Sequence, residues 1–266
     1  MTRGSVGSRP AGSLWTKTLG EGPRLVLVHG WGFDSTVWAD LVVPFAEQFR
    51  VTLLDLPGHG ESRGVSMPDD LASLAPMLAC AVTGPAHWMG WSLGGMAALQ
   101  LAADAPDMVG KLVLVDASAR FVEAPDWPHG VKHEVLRRFA EELKQDPRGT
   151  LLRFVALQTL TSEDAGRVQR RLRAHLLARS ALTNSALSAG LRILASADLR
   201  PLLRRVACPT LFVVGERDTL VTPQACTATA QGMRHARLRV IRGSGHAPHL
   251  SHPDQFVETV VEFLNE

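Results

Sequence analysis

The feature that most constrains the fold is a serine set between two glycines. Residues 90–94 read Gly-Trp-Ser-Leu-Gly, after an apolar run at 86–89 and before an alanine- and leucine-rich stretch at 96–102. This pattern predicts a strand, a sharp turn and a helix, with Ser92 at the turn. Gly90 and Gly94 fit because strand and helix nearly touch there. An ordinary glycine-rich turn is the alternative, but the flanking strand and helix patterns favour the first interpretation.

A serine at such a turn is exposed for nucleophilic attack, and the amide of Leu93 at the helix start faces the atom attacked. A second amide is predicted from residues 29–32, His-Gly-Trp-Gly, which follow a strand-like run at 24–28. The amides of Trp31 and Leu93 would together form an oxyanion hole. The alternative for residues 29–32 is a simple tight turn. We expect His29 to brace this loop.

Strand patterns alternate with helical patterns over most of the chain. A continuous apolar run typical of a buried parallel strand occurs at 24–28, and further strand patterns occur at 51–55, 111–116, 210–214 and 237–241. The alternation predicts an α/β fold, a mostly parallel central sheet flanked by helices, with the ligand site at the carboxyl ends of the strands. We assign residues 14–118 and 206–266 to this core, and residues 1–13 to a flexible tail. Asp55 and His59, in the loop after one strand, are expected to be braces.

Residues 119–205 show helical apolar spacing without strands, in segments 135–144, 150–160, 165–180 and 186–194. An insertion at this place in the chain predicts a helical cap over Ser92. The segment from Arg120 to Arg205 carries 16 Lys/Arg against 9 Asp/Glu, and the remainder carries 12 against 17. A solvated charged surface and docking of an anionic partner explain this basic segment equally well.

Asp218 and His246 complete a nucleophile, acid and base order with the serine. A serine attacks only when an imidazole takes its proton, and the imidazole needs a carboxylate to hold its tautomer. His246 follows the last strand and is preferred over His249 and His252. Asp116 also closes a strand and competes as the acid. Asp218 is preferred because its strand immediately precedes the one that delivers His246.

The composition excludes several other classes of protein. No apolar run approaches the roughly 18 residues of a membrane span, and residues 1–13 lack a signal peptide's apolar centre. We therefore expect a cytoplasmic protein with no membrane partner, and a monomer. Cys80, Cys208 and Cys226 are few, odd in number and set in apolar contexts, which predicts buried thiols rather than a disulfide or metal framework.

These motifs resemble the α/β-hydrolase superfamily from residue 25 to residue 264. Within it, the chain resembles the esterases of biotin synthesis that hydrolyse the methyl ester of pimeloyl-acyl carrier protein. The motifs at 29–32, 55–58, 90–95, 190–194 and 246–248 carry the resemblance. Its more specific marks are Trp91, beside the serine, and the run at 153–159, Arg-Phe-Val-Ala-Leu-Gln-Thr.

The resemblance implies a serine carboxylesterase that needs no cofactor and no metal. It implies a catalytic triad of Ser92, Asp218 and His246. The substrate-binding residues would be Trp31, Ser92, Leu93, Phe154, Gln158 and His246. Phe154 and Gln158 are one helical turn apart and would line an acyl channel; the alternative for Phe154 is a place in the core of the cap.

The partner implied is acyl carrier protein, which is acidic. Its docking residues would be the cap arginines Arg148, Arg153, Arg167, Arg170 and Arg171, three of which form one face of a helix by their spacing. Gly149 and Gly166 stand where the family has arginines, so docking is expected to be arranged differently here. Nucleic acid is a weaker alternative because no binding motif accompanies the arginines. A general short-chain carboxylesterase and a ligand-binding protein on a hydrolase fold also remain open.

Overall fold

A computed structural model describes residues 12–178 and 183–266. Most of the predicted N-terminal tail, residues 1–11, and the last two residues of the helix expected at 165–180 lie outside these ranges. Seven strands form one sheet in the order β1-β3-β2-β4-β5-β6-β7. The strands are β1 (Thr16–Leu19), β2 (Arg24–Val28), β3 (Arg50–Leu54), β4 (Ala86–Trp91), β5 (Val109–Val115), β6 (Thr210–Gly215) and β7 (Ala236–Ile241). Only β1 pairs antiparallel to its neighbour, so the predicted α/β fold is confirmed.

Helices pack on both faces of this sheet and in one insertion. The helices of the sheet layers are α1 (Ala39–Ala46), α2 (Leu71–Ala81), α3 (Leu93–Asp104), α8 (Pro223–Gln231), α9 (Pro248–Ser251) and α10 (Pro253–Asn265). Those between β5 and β6 are α4 (His133–Gln145), α5 (Pro147–Thr159), α6 (Ala165–Ala178) and α7 (Asn184–Ser196). A 3₁₀ turn, Ser35–Trp38, precedes α1.

The sheet brings the sequence motifs to one edge. β4 lies between β2 and β5, and β6 lies between β5 and β7, all parallel. The loops after these strands therefore leave from the same side of the sheet. Leu25–Val28 and most of β4–β6 are buried, as continuous apolar strands covered on both faces require.

We call residues 119–205 the cap. Its helices pack directly on the loops at the carboxyl edge of the sheet, because Leu151 and Leu187 share a buried apolar cluster with Trp31 and Leu93 of the core. Gly190 of α7 lies so close to the Trp31 ring that a side chain at 190 would collide with it. The cap thus covers the turn that carries the serine.

An ionic clasp joins the two ends of the cap. Arg120, near its start, pairs with Asp198, near its end, at 2.7 Å, and Arg200 pairs with the same carboxylate at 2.6 Å. Asp126 contacts Arg200 from the other side at 2.9 Å. The Arg200 hydrogen bond, supported by Arg120, lowers the pKa of Asp198 to about 2. A depressed carboxyl pKa means that the clasp stabilises the fold while Asp198 is ionised.

We expect Asp198→Asn to lower the melting temperature near neutral pH. A carboxyl that titrates near 3.9 in the unfolded chain and at about 2 in the fold gives stability that is complete above about pH 4 and is lost as the pH falls toward 2. The difference between wild type and variant should therefore shrink over that window in thermal unfolding. Asp69→Asn, which removes the partner of Arg192 in an exposed ion pair between the core and the cap, is the matched control. A difference that stays constant down to pH 2 would contradict this account.

The structure bears on two further expectations, the burial of the three cysteines and the absence of a membrane-spanning helix. Cys226 is buried and Cys208 is partly buried, but Cys80 is exposed, so the prediction of three buried thiols is wrong for Cys80. Cys80 lies in the last turn of α2. Across the two described ranges we find no helix with the length and apolarity needed to cross a bilayer.

Candidate active site

Ser92 sits at the turn between β4 and α3 in a strained backbone conformation. Its φ is 54° and its ψ is −118°, a region that non-glycine residues rarely occupy. The Ser92 amide donates to the carbonyl of Val115 at 2.9 Å, which fixes the turn against β5. A side chain at residue 90 would collide with the carbonyl of Gly94, and one at residue 94 would collide with the carbonyl of His29. The glycine spacing is therefore a packing requirement, as predicted.

His246 and Asp218 form a buried pair. His246 Nδ1 donates to Asp218 Oδ2 at 2.7 Å, and both side chains are buried, at 1% and 0% exposure. The other Asp218 oxygen accepts from the amides of Leu220 and Val221, at 2.8 and 3.1 Å. With Nδ1 as donor, Nε2 carries the lone pair, and within the described chain Nε2 has no hydrogen-bond partner. The pair can therefore accept a proton at Nε2.

The competing histidines are placed differently. His249 is buried between the rings of Trp38 and Trp91, at centroid distances of 4.6 and 4.8 Å. Burial holds the pKa of His249 well below its usual range, so this ring is neutral. His252 Nδ1 bonds to the neighbouring Ser251 hydroxyl at 2.9 Å. The structure brings only His246 of the three into contact with Asp218.

Asp116, the competing acid, lies near His246 but makes no hydrogen bond to its imidazole. Its Oδ1 accepts from the amide of Gly215 at 2.8 Å. A carboxylate oxygen of Asp116 lies within 4.8 Å of Asp218 and of His246. His246 Nδ1 donates its hydrogen bond to Asp218 and not to Asp116, which supports the order predicted from the strands.

The loop after β2 holds the second predicted amide beside the serine turn. Trp31 is buried, and its ring nitrogen donates to the carbonyl of Leu187 in the cap at 2.9 Å. Leu93 is the first residue of α3, where an amide has no acceptor within the helix. The elements thus place both residues at the carboxyl edge, as an oxyanion hole requires.

The expected braces make structural hydrogen bonds. His29 accepts from the amide of Leu56 at 3.0 Å through Nε2, and its other ring nitrogen bonds to the carbonyl of Gly30. Asp55 accepts from the amides of Ser35 and Glu61, at 2.8 and 2.9 Å. Burial lowers the pKa of His59 to about 3. These groups hold loops and are not placed to react.

An aromatic wall joins the cap to the loop of Trp31. The Phe154 ring meets the Trp31 ring edge-on at 5.1 Å, and Phe139 of α4 contacts both rings, at 5.6 and 5.7 Å. Gln158 is buried, and its backbone carbonyl accepts from the amide of His246 at 3.2 Å. Phe139 was missed from the sequence. Its spacing three residues after Leu136 and four before Leu143 is the signal that places it on the inner face of α4.

The loop between α5 and α6 is fastened to both triad loops. Arg217, next to Asp218, pairs with Glu163 at 2.8 Å, and the Thr161 hydroxyl donates to the Arg217 carbonyl at 2.5 Å. The Glu163 amide donates to the carbonyl of Gly243, in the loop that carries His246, at 2.9 Å. The cap therefore helps to hold the acid and base loops in place.

The cap arginines do not form the single free face that their spacing predicts. Arg167 donates to the carbonyls of Leu250 and Ser251, and Arg171 pairs with Asp40 of the core. Val168 between them is buried, so α6 turns these two arginines toward the core, and their part in docking stays a prediction. The other three lie at the surface: Arg148, Arg153 and Arg170.

Comparison with known proteins agrees with this geometry. A model of the alpha/beta hydrolase family matches residues 25–259. Proteins named pimeloyl-[acyl-carrier protein] methyl ester esterase from Xanthomonas oryzae pv. oryzae (strain MAFF 311018) and Stenotrophomonas maltophilia (strain K279a) are each 44% identical to the chain, covering 92% of it and 96% and 94% of themselves. A thermophilic esterase structure from Thermogutta terrifontis superposes with a TM-score of 0.81 at 28% identity, over 95% of this chain and 93% of that one. An enol-lactonase from Burkholderia xenovorans LB400 gives 0.82 at 26% identity, over 95% and 96%.

Proposed function

The chain belongs to the alpha/beta hydrolase family, and on that premise we propose that it is a serine esterase that hydrolyses the methyl ester of pimeloyl-acyl carrier protein. The observation that carries the chemistry is the buried His246–Asp218 pair, at 2.7 Å, on the same sheet edge as the strained Ser92. The substrate is supported by relatives at 44% identity over 92% of the chain whose name states it. The products are pimeloyl-acyl carrier protein and methanol.

The reaction proceeds in two steps. His246 Nε2 takes the proton of Ser92 Oγ as the oxygen attacks the ester carbonyl, and the amides of Trp31 and Leu93 hold the oxyanion. Asp218 stabilises the imidazolium, which then gives its proton to the leaving methoxide. Water, deprotonated by the same imidazole, attacks the acyl-enzyme and frees the carboxylic acid and the serine.

We infer that the acyl chain runs along the aromatic wall of Trp31, Phe139 and Phe154. These rings offer an apolar surface between the cap and the sheet. Gln158 adds a buried amide whose Oε1 has no hydrogen-bond partner within the described residues. A channel of this kind would let the distal methyl ester reach Ser92 while the thioester to the carrier stays near the outside of the cap.

Phe154→Ala should weaken hydrolysis of long acyl esters more than that of acetate. Removing the ring deletes the edge contact with Trp31 and part of the wall that a long chain would cover, whereas an acetyl group ends before it. The measurement is kcat/KM for nitrophenyl acetate, hexanoate and octanoate. Leu157→Ala, an exposed residue on the same helix at 48% exposure, is the control. Equal losses on all three esters would mean that Phe154 belongs only to the core of the cap.

We propose that the acidic carrier protein docks on the arginines that remain at the cap surface. Arg153 contacts Glu142 at 3.3 Å and Asp146 at 3.9 Å, both near the surface. Exposed pairs of this kind are worth little, so the guanidinium can exchange these partners for an acidic surface. Arg148 lies in the first turn of α5 and Arg170 on α6. Arg167 and Arg171 are left out of this proposed patch because both have partners in the core.

The double variant Arg153→Glu with Arg170→Glu should raise KM for the carrier-bound ester and flatten its dependence on salt. Surface charges act on encounter within a Debye length of about 8 Å, so kcat and the turnover of a small nitrophenyl ester should hardly change. The control is the double variant Arg234→Glu with Arg239→Glu. It makes the same charge change at two exposed positions outside the cap. Equal damage to both substrates would mean that the arginines serve the fold.

Genetic complementation tests the proposed function as a whole. The gene should restore biotin-independent growth to a bacterial strain that lacks its own pimeloyl-carrier esterase, and the Ser92→Ala gene should not. Restored growth with both genes, or with neither despite soluble expression, would count against the proposal.

A further inference from the structure

Two carboxyl groups are buried side by side at the site, although the reaction uses one. Asp116 follows β5 and Asp218 follows the neighbouring β6. The two residues are 0% and 3% exposed. A carboxylate oxygen of each lies within 4.8 Å of the other and of a ring nitrogen of His246.

The hydrogen bonds to the two carboxyl groups are unequal. Asp218 accepts three N–H groups, from His246, Leu220 and Val221. Asp116 accepts one, from Gly215, on Oδ1. Its Oδ2 is buried and receives no hydrogen bond from any donor in the described chain. A negative charge is therefore well stabilised on Asp218 and poorly stabilised on Asp116.

Two like charges at this separation in a buried site do not both persist, and such a pair keeps one proton. We propose that Asp116 is a neutral carboxylic acid whose hydroxyl donates a hydrogen bond to the Asp218 carboxylate, which makes Asp116 a positioning residue for the triad acid. The inference rests on the proposed role of Asp218. Burial, together with the neighbouring Asp218, raises the pKa of Asp116 well above its usual range.

The backbone supports a fixed orientation for this side chain. Asp116 has a φ of 43°, and among the described residues only Ser92 is likewise a non-glycine with positive φ. The Gly215 amide holds Oδ1, and the buried Oδ2, which has no other partner in the described chain, is the oxygen that would carry the shared proton. The titratable groups that face Asp116 are Asp218, His246 and Cys226. Burial raises the pKa of the Cys226 thiol well above its usual range, so Cys226 is neutral and adds no charge.

The pH dependence of kcat/KM on a nitrophenyl ester tests this protonation state. Asp116→Asn replaces one neutral donor by another, and asparagine tolerates positive φ. We expect the acid limb of its profile to stay within about 0.3 pH units of the wild-type limb. If Asp116 were ionised, the same change would remove a negative charge beside His246, and the limb would move about one unit or more toward lower pH. That shift would overturn the inference.

Asp116→Gly tests the positioning role, because glycine keeps the backbone conformation and removes the donor. Asp218 would then hold its charge unshared and would favour the protonated imidazole. We expect kcat/KM to fall about tenfold and the acid limb to move toward higher pH. An Asp116→Gly profile identical to wild type would show that the carboxyl has no such role.

Infrared spectroscopy gives a test that needs neither turnover nor a variant. At neutral pH the wild-type spectrum should contain the carbonyl band of a neutral carboxylic acid, and the band should shift when aspartate is labelled with carbon-13. Absence of the shifting band would overturn the inference and leave the esterase proposal intact. Its presence in a protein that hydrolyses no ester would overturn only the proposed function.

Discussion

Ser92→Ala is expected to lower kcat for a nitrophenyl ester by about a millionfold, because triad members act as a unit and the residual rate comes from the oxyanion hole and binding alone. The fold should survive, since alanine keeps the Cβ and the backbone hydrogen bond from the residue 92 amide to the Val115 carbonyl. Thermal unfolding checks this.

Covalent labelling with a sulfonyl fluoride tests the assignment of Ser92 as the nucleophile independently of kinetics. It should label the wild type at the peptide that contains Ser92 and leave the Ser92→Ala protein unlabelled. Ser118→Ala removes a hydroxyl whose one hydrogen bond within the described residues goes to the Arg120 carbonyl, and this variant should retain both activity and labelling. Substantial turnover by Ser92→Ala, or labelling elsewhere, would mean that the nucleophile is a different residue.

Asp218→Asn is expected to lower kcat by about 10⁴-fold, because an amide nitrogen facing Nδ1 favours the tautomer in which Nε2 carries the proton and cannot act as a base. The 2.7 Å bond from His246 Nδ1 to Asp218 is the contact that this change disturbs. Asp116→Asn should lower kcat by less than about tenfold, since its hydrogen bond reaches the imidazole only through Asp218. Steady-state kinetics on one ester, with both variants checked for folding, decides between the two acids. The reverse order of losses would make Asp116 the acid.

The sequence predicted the parts of the site that depend on local chain geometry. Ser92 is set by glycines two residues to either side, and the collisions at residues 90 and 94 show why no other residue fits. Asp218 and His246 each follow a strand, and parallel strands deliver their carboxyl ends to one edge whatever the lengths of the connections between them.

The parts that the sequence could not predict depend on how distant segments dock. Helical spacing puts Arg167 and Arg171 on one face with Arg170. It does not reveal that Arg171 pairs with Asp40 or that Arg167 donates to the carbonyl of Ser251. The approach of Asp116 to Asp218 depends on side-chain orientation at the ends of β5 and β6, which the strand pattern leaves open. The contact of Phe139 with Trp31 depends on where the cap comes to rest.

Mass spectrometry of the carrier itself tests the central claim most directly. Purified protein is mixed with the methyl ester of pimeloyl-acyl carrier protein, and the intact carrier is weighed over time. We predict that the carrier loses the mass of one methylene group, as a methyl ester becomes an acid, and keeps its pimeloyl thioester; Ser92→Ala should leave the mass unchanged. A carrier that loses the whole acyl group, or one that stays unchanged while the same sample hydrolyses a nitrophenyl ester, would contradict the account.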